Sequence, residues 1–294
     1  MPDGEKEDRD SLVWYELGML YYTKKDYAGA VLPLRRSAEL MPSRTALYGI
    51  CALYVRKGMT DKAETVLERN KIGRTSGWVH LAQAAVYEAK KNLAGAAISY
   101  NVALKLLPRS AAAHAGLGRV FLEQARYNDA IEHFGMAAGY DPGNQDLYNG
   151  MGRAYLGMRN YSSAIETFTE VLAKQPDNED AYLLLAQAYA SKQYRTKAIE
   201  VLDKGVERFP RNGNMYLKLG DLNRQAKKYD LAIAHYEKAA RLGKNTAIEA
   251  YRGLGDVYWL GLKDKKNAEK NYNKYIKAGG DQAAIRSVLK AMGQ

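Results

Sequence analysis

Four histidines, His80, His114, His133 and His235, and a single cysteine, Cys51, are the side chains whose types could do covalent or proton chemistry. Imidazoles can relay protons or bind a metal, and a thiol can attack or oxidise. Cys51 has no partner for a disulfide and no CxxC spacing for zinc or redox exchange. Its neighbours Ile50, Ala52 and Leu53 are apolar, which predicts a buried, inert thiol. No GxxxxGK[ST] phosphate loop occurs. Twenty-three tyrosines against four phenylalanines would suit stacking on nucleic-acid bases. What each of these residues does depends on the elements that hold it.

Those elements repeat. Among the prolines, Pro42 is followed by Pro108, Pro142, Pro176 and Pro210, the last four spaced by 34 residues. Aligned on them, the stretch 111–144 places His114, Leu117, Gly118, Phe121, Ala130, Phe134, Ala137 and Pro142 at offsets 4, 7, 8, 11, 20, 24, 27 and 32. The same columns hold Tyr148, Met151, Gly152, Tyr155, Ala164, Phe168, Val171 and Pro176, then Tyr182, Leu185, Ala186, Tyr189, Ala198, Leu202, Gly205 and Pro210. Offsets 4, 7, 8 and 11 form one face of a first helix, and 20, 24 and 27 one face of a second. Small residues at 8 and 20 let the two backbones approach, and the proline ends the second helix. His80 and His114 then fall in the aromatic packing column at offset 4, and His133 and His235 at offset 23, on the flank of the second helix. Most tyrosines fall in packing columns as well, at offsets 4, 11 and 17. The chemistry-bearing residues are thereby assigned to packing, and the sequence implies no enzyme, no metal and no cofactor.

This pattern resembles the tetratricopeptide repeat family, whose motif has Trp, Leu, Gly, Tyr, Ala, Phe, Ala and Pro in these columns. The resemblance implies an all-α, right-handed α-solenoid (superhelix) of eight helix-turn-helix repeats, at about 11–44, 44–76, 77–110, 111–144, 145–178, 179–212, 213–246 and 248–280. Residues 1–10, with five acidic and two basic side chains, read as a disordered acidic leader. Residues 281–294, with Ala284, Ile285, Val288 and Leu289 in an apolar stripe, read as a capping helix that covers the last hairpin. The first unit carries Trp14, Leu17, Gly18, Tyr21, Ala30 and Leu34, with Pro33 expected to kink its second helix. The second unit lacks a terminal proline. The seventh has Asn223 where an aromatic is usual and Lys244 where proline is usual, and the eighth has one extra residue before Ala268 and Tyr272.

Resemblance further implies that first helices line a concave groove through offsets 2, 5, 9 and 12, and that a partner peptide binds there. On those offsets the first three units offer Leu12, Tyr15, Met19, Tyr22, Tyr48, Trp78, Leu81 and Glu88, an aromatic and apolar surface. From the fourth unit they become polar: Arg119, Asp146, Asn149, Arg153, Asp180, Gln187, Asn214, Asp221, Arg224, Glu249, Arg252 and Asp256. Arg119, Asn149 and Arg153 are the expected grip on a carboxylate or on peptide amides. The family's chaperone-binding clamp of two lysines, two asparagines and an arginine is not present, and no polar pair recurs in each repeat as base-by-base reading of RNA requires.

The chain has 294 residues and a formal charge of +11, and residues 213–280 hold 14 lysines and arginines against 7 acids. Such a region attracts acidic protein segments, membrane surfaces or nucleic acid. No apolar run reaches membrane-spanning length and the first ten residues lack the pattern of a signal peptide. A cytoplasmic protein follows from the chain as given, and a periplasmic or envelope-associated one if a signal segment preceded it. The expected function is a non-enzymatic scaffold that binds a protein or peptide partner, an acidic one included. The alternatives are an assembly factor of a bacterial cell-envelope machine, or a binder of nucleic acid or anionic surfaces through the basic carboxy-terminal repeats.

Overall fold

In the computed structural model, residues 13–22, 24, 26–40, 45–69 and 76–293 are described. Leu12 and the acidic leader lie outside these residues. Among the described residues no strand occurs, and helices alternate with short turns. They are α1 (13–22), α2 (Tyr27–Leu40), α3 (Thr45–Arg56), α4 (Thr60–Arg69), α5 (Gly77–Ala89), α6 (Leu93–Leu106), α7 (Ala111–Glu123), α8 (Tyr127–Tyr140) and α9 (Gln145–Gly157). There follow α10 (Tyr161–Lys174), α11 (Glu179–Ser191), α12 (Arg195–Arg208), α13 (Gly213–Gln225), α14 (Tyr229–Leu242), α15 (Lys244–Asp256), α16 (Lys265–Lys277) and α17 (Arg286–Ala291). The chain divides into two compact units, Met1–Met158 and Arg159–Gln294. α1 to α9 belong to the first, α10 to α17 to the second.

In both units the packing columns explain the hairpins. The offset-20 alanines Ala30, Ala63, Ala96, Ala130, Ala164, Ala198, Ala232 and Ala268 are completely buried. Each gives a second helix a smooth face on which the first can rest. The offset-24 side chains Leu34, Tyr100, Phe134, Phe168, Leu202, Tyr236 and Tyr272 are buried too, each contributing about 1.5–3 kcal/mol of apolar burial. Their rings pass close to glycine: a Cβ on Gly118 would stand 2.8 Å from the Phe134 ring, and one on Gly220 2.6 Å from Tyr236. A second glycine column, unnoticed in the sequence, lies at offset 6 of the following hairpin. A Cβ on Gly150 would meet Phe134 at 2.6 Å, one on Gly253 would meet Tyr236 at 2.5 Å, and Gly116 faces the Tyr100 ring in the same way. The Phe134 and Tyr236 rings are thus each seated between two first helices that both omit a side chain to admit them.

The turn between the paired helices repeats as well. Lys91, Ala125, Arg159, Gln193 and Lys227 have φ between 57° and 66° and follow one another at 34-residue intervals. Asn92, Asn160 and Asp264 cap the second helices by accepting hydrogen bonds from the backbone N–H of Gly95, Ser163 and Asn267. The extra residue of the last hairpin is absorbed by a π-helical turn, Val257–Gly261. The turn conformation then recurs at Lys263. Where proline is replaced by Lys244, α14 and α15 are joined by Gly243 alone, and the Thr246 hydroxyl donates to the carbonyls of Ala239 and Gly243. Asn223 is 2% exposed and donates to the Leu219 carbonyl. Its amide is satisfied by its own helix. α2 runs through Pro33 as one helix.

One expectation is corrected. Leu17 and Tyr21, assigned to packing, are 36% and 37% exposed. The carboxy-terminal segment comprises a 3-10 turn, Gln282–Ile285, followed by α17. Ile285, Leu289 and Met292 of this segment pack with Tyr272 and Tyr275, while Ala284 is exposed.

Candidate functional site

The site that the second unit builds grows from α13 and α15. These first helices of neighbouring hairpins pack side by side, and a hollow of about 300 Å3 opens on their shared face. Leu217, Lys218, Asp221, Arg224, Glu249, Arg252, Gly253 and Asp256 line it. Five of them, Asp221, Arg224, Glu249, Arg252 and Asp256, are groove residues expected from the sequence. Two tyrosines of the second helices hold side chains of this lining. Tyr236 of α14 donates its hydroxyl hydrogen bond to Asp221 Oδ1 at 2.8 Å, and Arg224 Nε donates to the same hydroxyl oxygen at 3.3 Å. Tyr272 of α16 donates to Asp256 Oδ1 at 2.8 Å.

Burial pushes the Tyr236 and Tyr272 phenols up, and the carboxylates of Asp221 and Asp256 push them further. Burial works against the charge on Arg224, but the Tyr236 hydrogen bond and the carboxylates of Asp256 and Asp221 outweigh it. The tyrosine hydroxyls therefore hold the aspartates in place while leaving their other lone pairs to the hollow. The result is three cations and three carboxylates on one hollow, with Asp221, Arg224 and Asp256 held by hydrogen bonds, able to donate to peptide carbonyls and carboxylates and to accept from peptide N–H groups and amines.

In the first unit the expected aromatic residues come together. Tyr15, Met19, Tyr22 and Tyr48 pack against one core cluster. Tyr48 stands 6.0 Å from Trp78 between ring centroids, and Arg56 lies over the Tyr22 ring at 5.5 Å. Burial pushes the Tyr48 phenol up to about 12, with Arg119 acting the other way. Arg119 is the centre of this group. Its Nε donates to Glu88 Oε1 at 2.6 Å, its Nη2 to Glu88 Oε2 at 3.0 Å, and Tyr100 donates to Glu88 Oε2 at 2.7 Å. Burial opposes the charge of Arg119, and Glu88 restores and exceeds it.

Of the expected grip, Arg119 is paired with Glu88 and Asn149 is only 6% exposed. Leu81 is fully buried. The reason is common to Leu81 and Asn149: offset 5 points into the seam where adjacent first helices pack, α5 on α7 and α7 on α9. Arg153 and Gln187 are exposed on α9 and α11, and the structure brings neither into the hollow of the second unit. Sequence reading missed Lys218, Tyr100, Tyr236 and Tyr272 as site residues. The signal was present: tyrosine at offset 24 puts a hydroxyl into a fully buried column, where it must find a partner.

The histidines and the cysteine lie apart from these faces. Cys51 is buried, its thiol donates to the Ala63 carbonyl at 3.6 Å, and burial pushes it up to about 12. His114 and His133 place their Nδ1 atoms 3.1 Å apart, stacked among Phe121 and Tyr140. Burial lowers the pKa of both. Among the described residues no group of three or more His, Cys, Asp or Glu side chains could hold a metal ion, and no helix is long and apolar enough to cross a membrane.

A tetratricopeptide repeat family model matches residues 121–168 and 155–222, and a second matches 213–246. No curated protein matches in sequence. Among solved structures, a tetratricopeptide repeat protein from Parabacteroides merdae is 17% identical with a TM-score of 0.55, covering 82% of this chain and 96% of that one. The Cut9–Hcn1 heterotetramer of the APC/C is 16% identical with a TM-score of 0.69, covering 94% and 55%. PilF of Pseudomonas aeruginosa is 20% identical with a TM-score of 0.52, covering 81% and 93%. At these identities the likeness is one of fold.

Proposed function

Because this chain belongs to the tetratricopeptide repeat family, we propose that it is a non-enzymatic protein-interaction scaffold that holds an extended partner segment against its first helices. The observation that carries this reading is the hollow of the second unit. Arg224 and Arg252 face Asp221, Glu249 and Asp256 there, and buried tyrosines fix the aspartates before any partner arrives. Pre-organised charges of both signs suit a polypeptide, which offers carbonyls, amides and side-chain charges along one line. In the first unit, Tyr15, Met19, Tyr22, Tyr48 and Trp78 supply apolar anchors beside the Arg119–Glu88 pair. We retain eight repeats, the leader and the terminal cap as the proposed organisation of the chain.

The test is affinity capture of the partner from native extract, followed by titration of the purified pair. Arg224→Ala with Arg252→Ala is expected to weaken binding by about 1.5–3 kcal/mol for each charged hydrogen bond lost. Unchanged affinity with an unchanged melting temperature defeats the assignment of the hollow. Assembly of a cell-envelope machine is a finer proposal, supported by the fold likeness to PilF alone, and recovery of pilus or secretion components in the same capture is its test.

A further inference from the structure

The second unit presents another surface, on the turns that join first to second helices. The turn after α11 and the start of α12 carry Lys192, Arg195 and Lys197, the turn between α13 and α14 carries Lys227 and Lys228, and the turn before α16 and the start of α16 carry Lys263, Lys265 and Lys266. Against these eight cations the three turns and the helix starts that follow them hold two carboxylates, Asp230 and Asp264. Asp264 is turned back on its own helix, accepting from Asn267 N at 3.0 Å and Nδ2 at 2.6 Å.

Two of the corresponding turns of the first unit carry ion pairs. There Lys90 pairs with Glu64 at 2.5 Å, Lys91 with Glu123 at 2.8 Å and Arg126 with Asp129 at 2.7 Å. Among the described residues of the second unit, no such pair forms at Lys227, Lys228, Lys263, Lys265 or Lys266. Lys192 donates instead to the Ser162 hydroxyl at 2.9 Å, and Lys192 and Lys197 lie over the Tyr194 ring at 5.3 Å and 5.6 Å. Among the described residues, ion pairs thus form at two of these turns in the first unit and at none of the three in the second.

Large apolar side chains are exposed on these turns and the helix ends beside them. Tyr194 is 47% exposed, Leu231 50%, Leu260 58% and Leu262 44%. The last two hairpins bring their turns into contact, since a Cβ on Gly261 would stand 2.7 Å from the Tyr229 ring. The segment bearing Leu260, Leu262 and Lys263 therefore adjoins the one bearing Lys227, Lys228 and Leu231. Single exposed leucines on a soluble surface are ordinary; leucines set among uncompensated lysines on adjoining turns are a pattern.

We propose that this edge docks on the surface of an anionic phospholipid bilayer. The lysines would meet headgroup phosphates, while the leucines and the Tyr194 ring enter the boundary between headgroups and acyl chains. Charge alone would suit nucleic acid equally well. The leucines decide, because a phosphate backbone offers an aliphatic side chain nothing and a bilayer interface takes up both. This surface is separate from the first-helix face and does not depend on the proposed scaffold function.

The test is sedimentation of the full chain with vesicles of phosphatidylcholine, with and without phosphatidylglycerol, over a range of salt. The expected result is retention on anionic vesicles at low salt, release as salt rises, and no retention on neutral vesicles. Leu260→Ser with Leu262→Ser is expected to lower partitioning at least about tenfold with the lysines intact, and Leu231→Ser alone by a smaller factor. Melting temperatures of all variants should match the parent. No retention on anionic vesicles at low salt overturns the proposal. So does retention indifferent to the leucine substitutions, and so does tighter binding to RNA or DNA oligonucleotides that those substitutions leave unchanged.

Discussion

Tyr236 shows how a single residue couples packing to the site. Its ring is completely buried between Gly220 and Gly253, and its hydroxyl reaches Asp221 and Arg224 in the hollow. Tyr236→Phe keeps the ring and removes the hydroxyl, so a loss of about 1.5–3 kcal/mol is expected in urea denaturation. Gly253→Ala keeps the hydroxyl and crowds the ring, and a loss of about 1–3 kcal/mol is expected by the same measurement. The histidine pair makes a different prediction. Burial lowers His114 and His133 below the ordinary value, so the unfolded chain takes up these protons first as pH falls through about 6.5. Glu132 and Asp129 favour the charged form of His133 and Arg126 opposes it, all more weakly than burial. Stability of the first unit should therefore drop between pH 7.5 and 5.5, and His133→Phe should flatten that dependence. A denaturation midpoint that rises on acidification would contradict it.

At the scale of the element, the turn and cap decide whether each second helix starts well. α10 begins on Asn160, which accepts from Ser163 N, whereas α14 begins on Lys228 with no side-chain cap. Lys228→Asn should therefore raise stability by about 0.5–1 kcal/mol, and Asn160→Ala should lower it by about 1 kcal/mol, both read from thermal melts. The helices were legible in the sequence because the columns at offsets 8, 20 and 24 encode one contact seen from three sides. The offset-6 glycines were not, since Gly116, Gly150 and Gly253 answer to a ring in the preceding hairpin and look unmotivated within their own. For the same reason Asn149 and Leu81 were read as groove residues: helical periodicity places a side chain on a face but does not say how much of that face the next helix covers.

For the whole molecule, each hairpin is stabilised by its neighbours, so protection should follow their number. α1 exposes Val13, Leu17, Leu20 and Tyr21, whereas α7 packs against α5, α6, α8 and α9. Amides of 13–22 should exchange with deuterium well before those of Ala111–Glu123, and equal rates would refute nearest-neighbour control. The charge of +11 was plain from composition, but the pairing of turn lysines in one unit and not in the other depends on carboxylates from distant positions such as Glu64 and Glu123, and no local pattern announces them. The π-helical turn Val257–Gly261 carries a last consequence. It takes up the additional residue after Asp256 and before Ala268, so the Tyr272–Asp256 hydrogen bond survives a change in spacing. Selection can lengthen or shorten this hairpin at its tip without disturbing the residues that line the hollow. Inserted sequence at the tip should leave the hollow folded while altering the edge that carries Leu260 and Leu262.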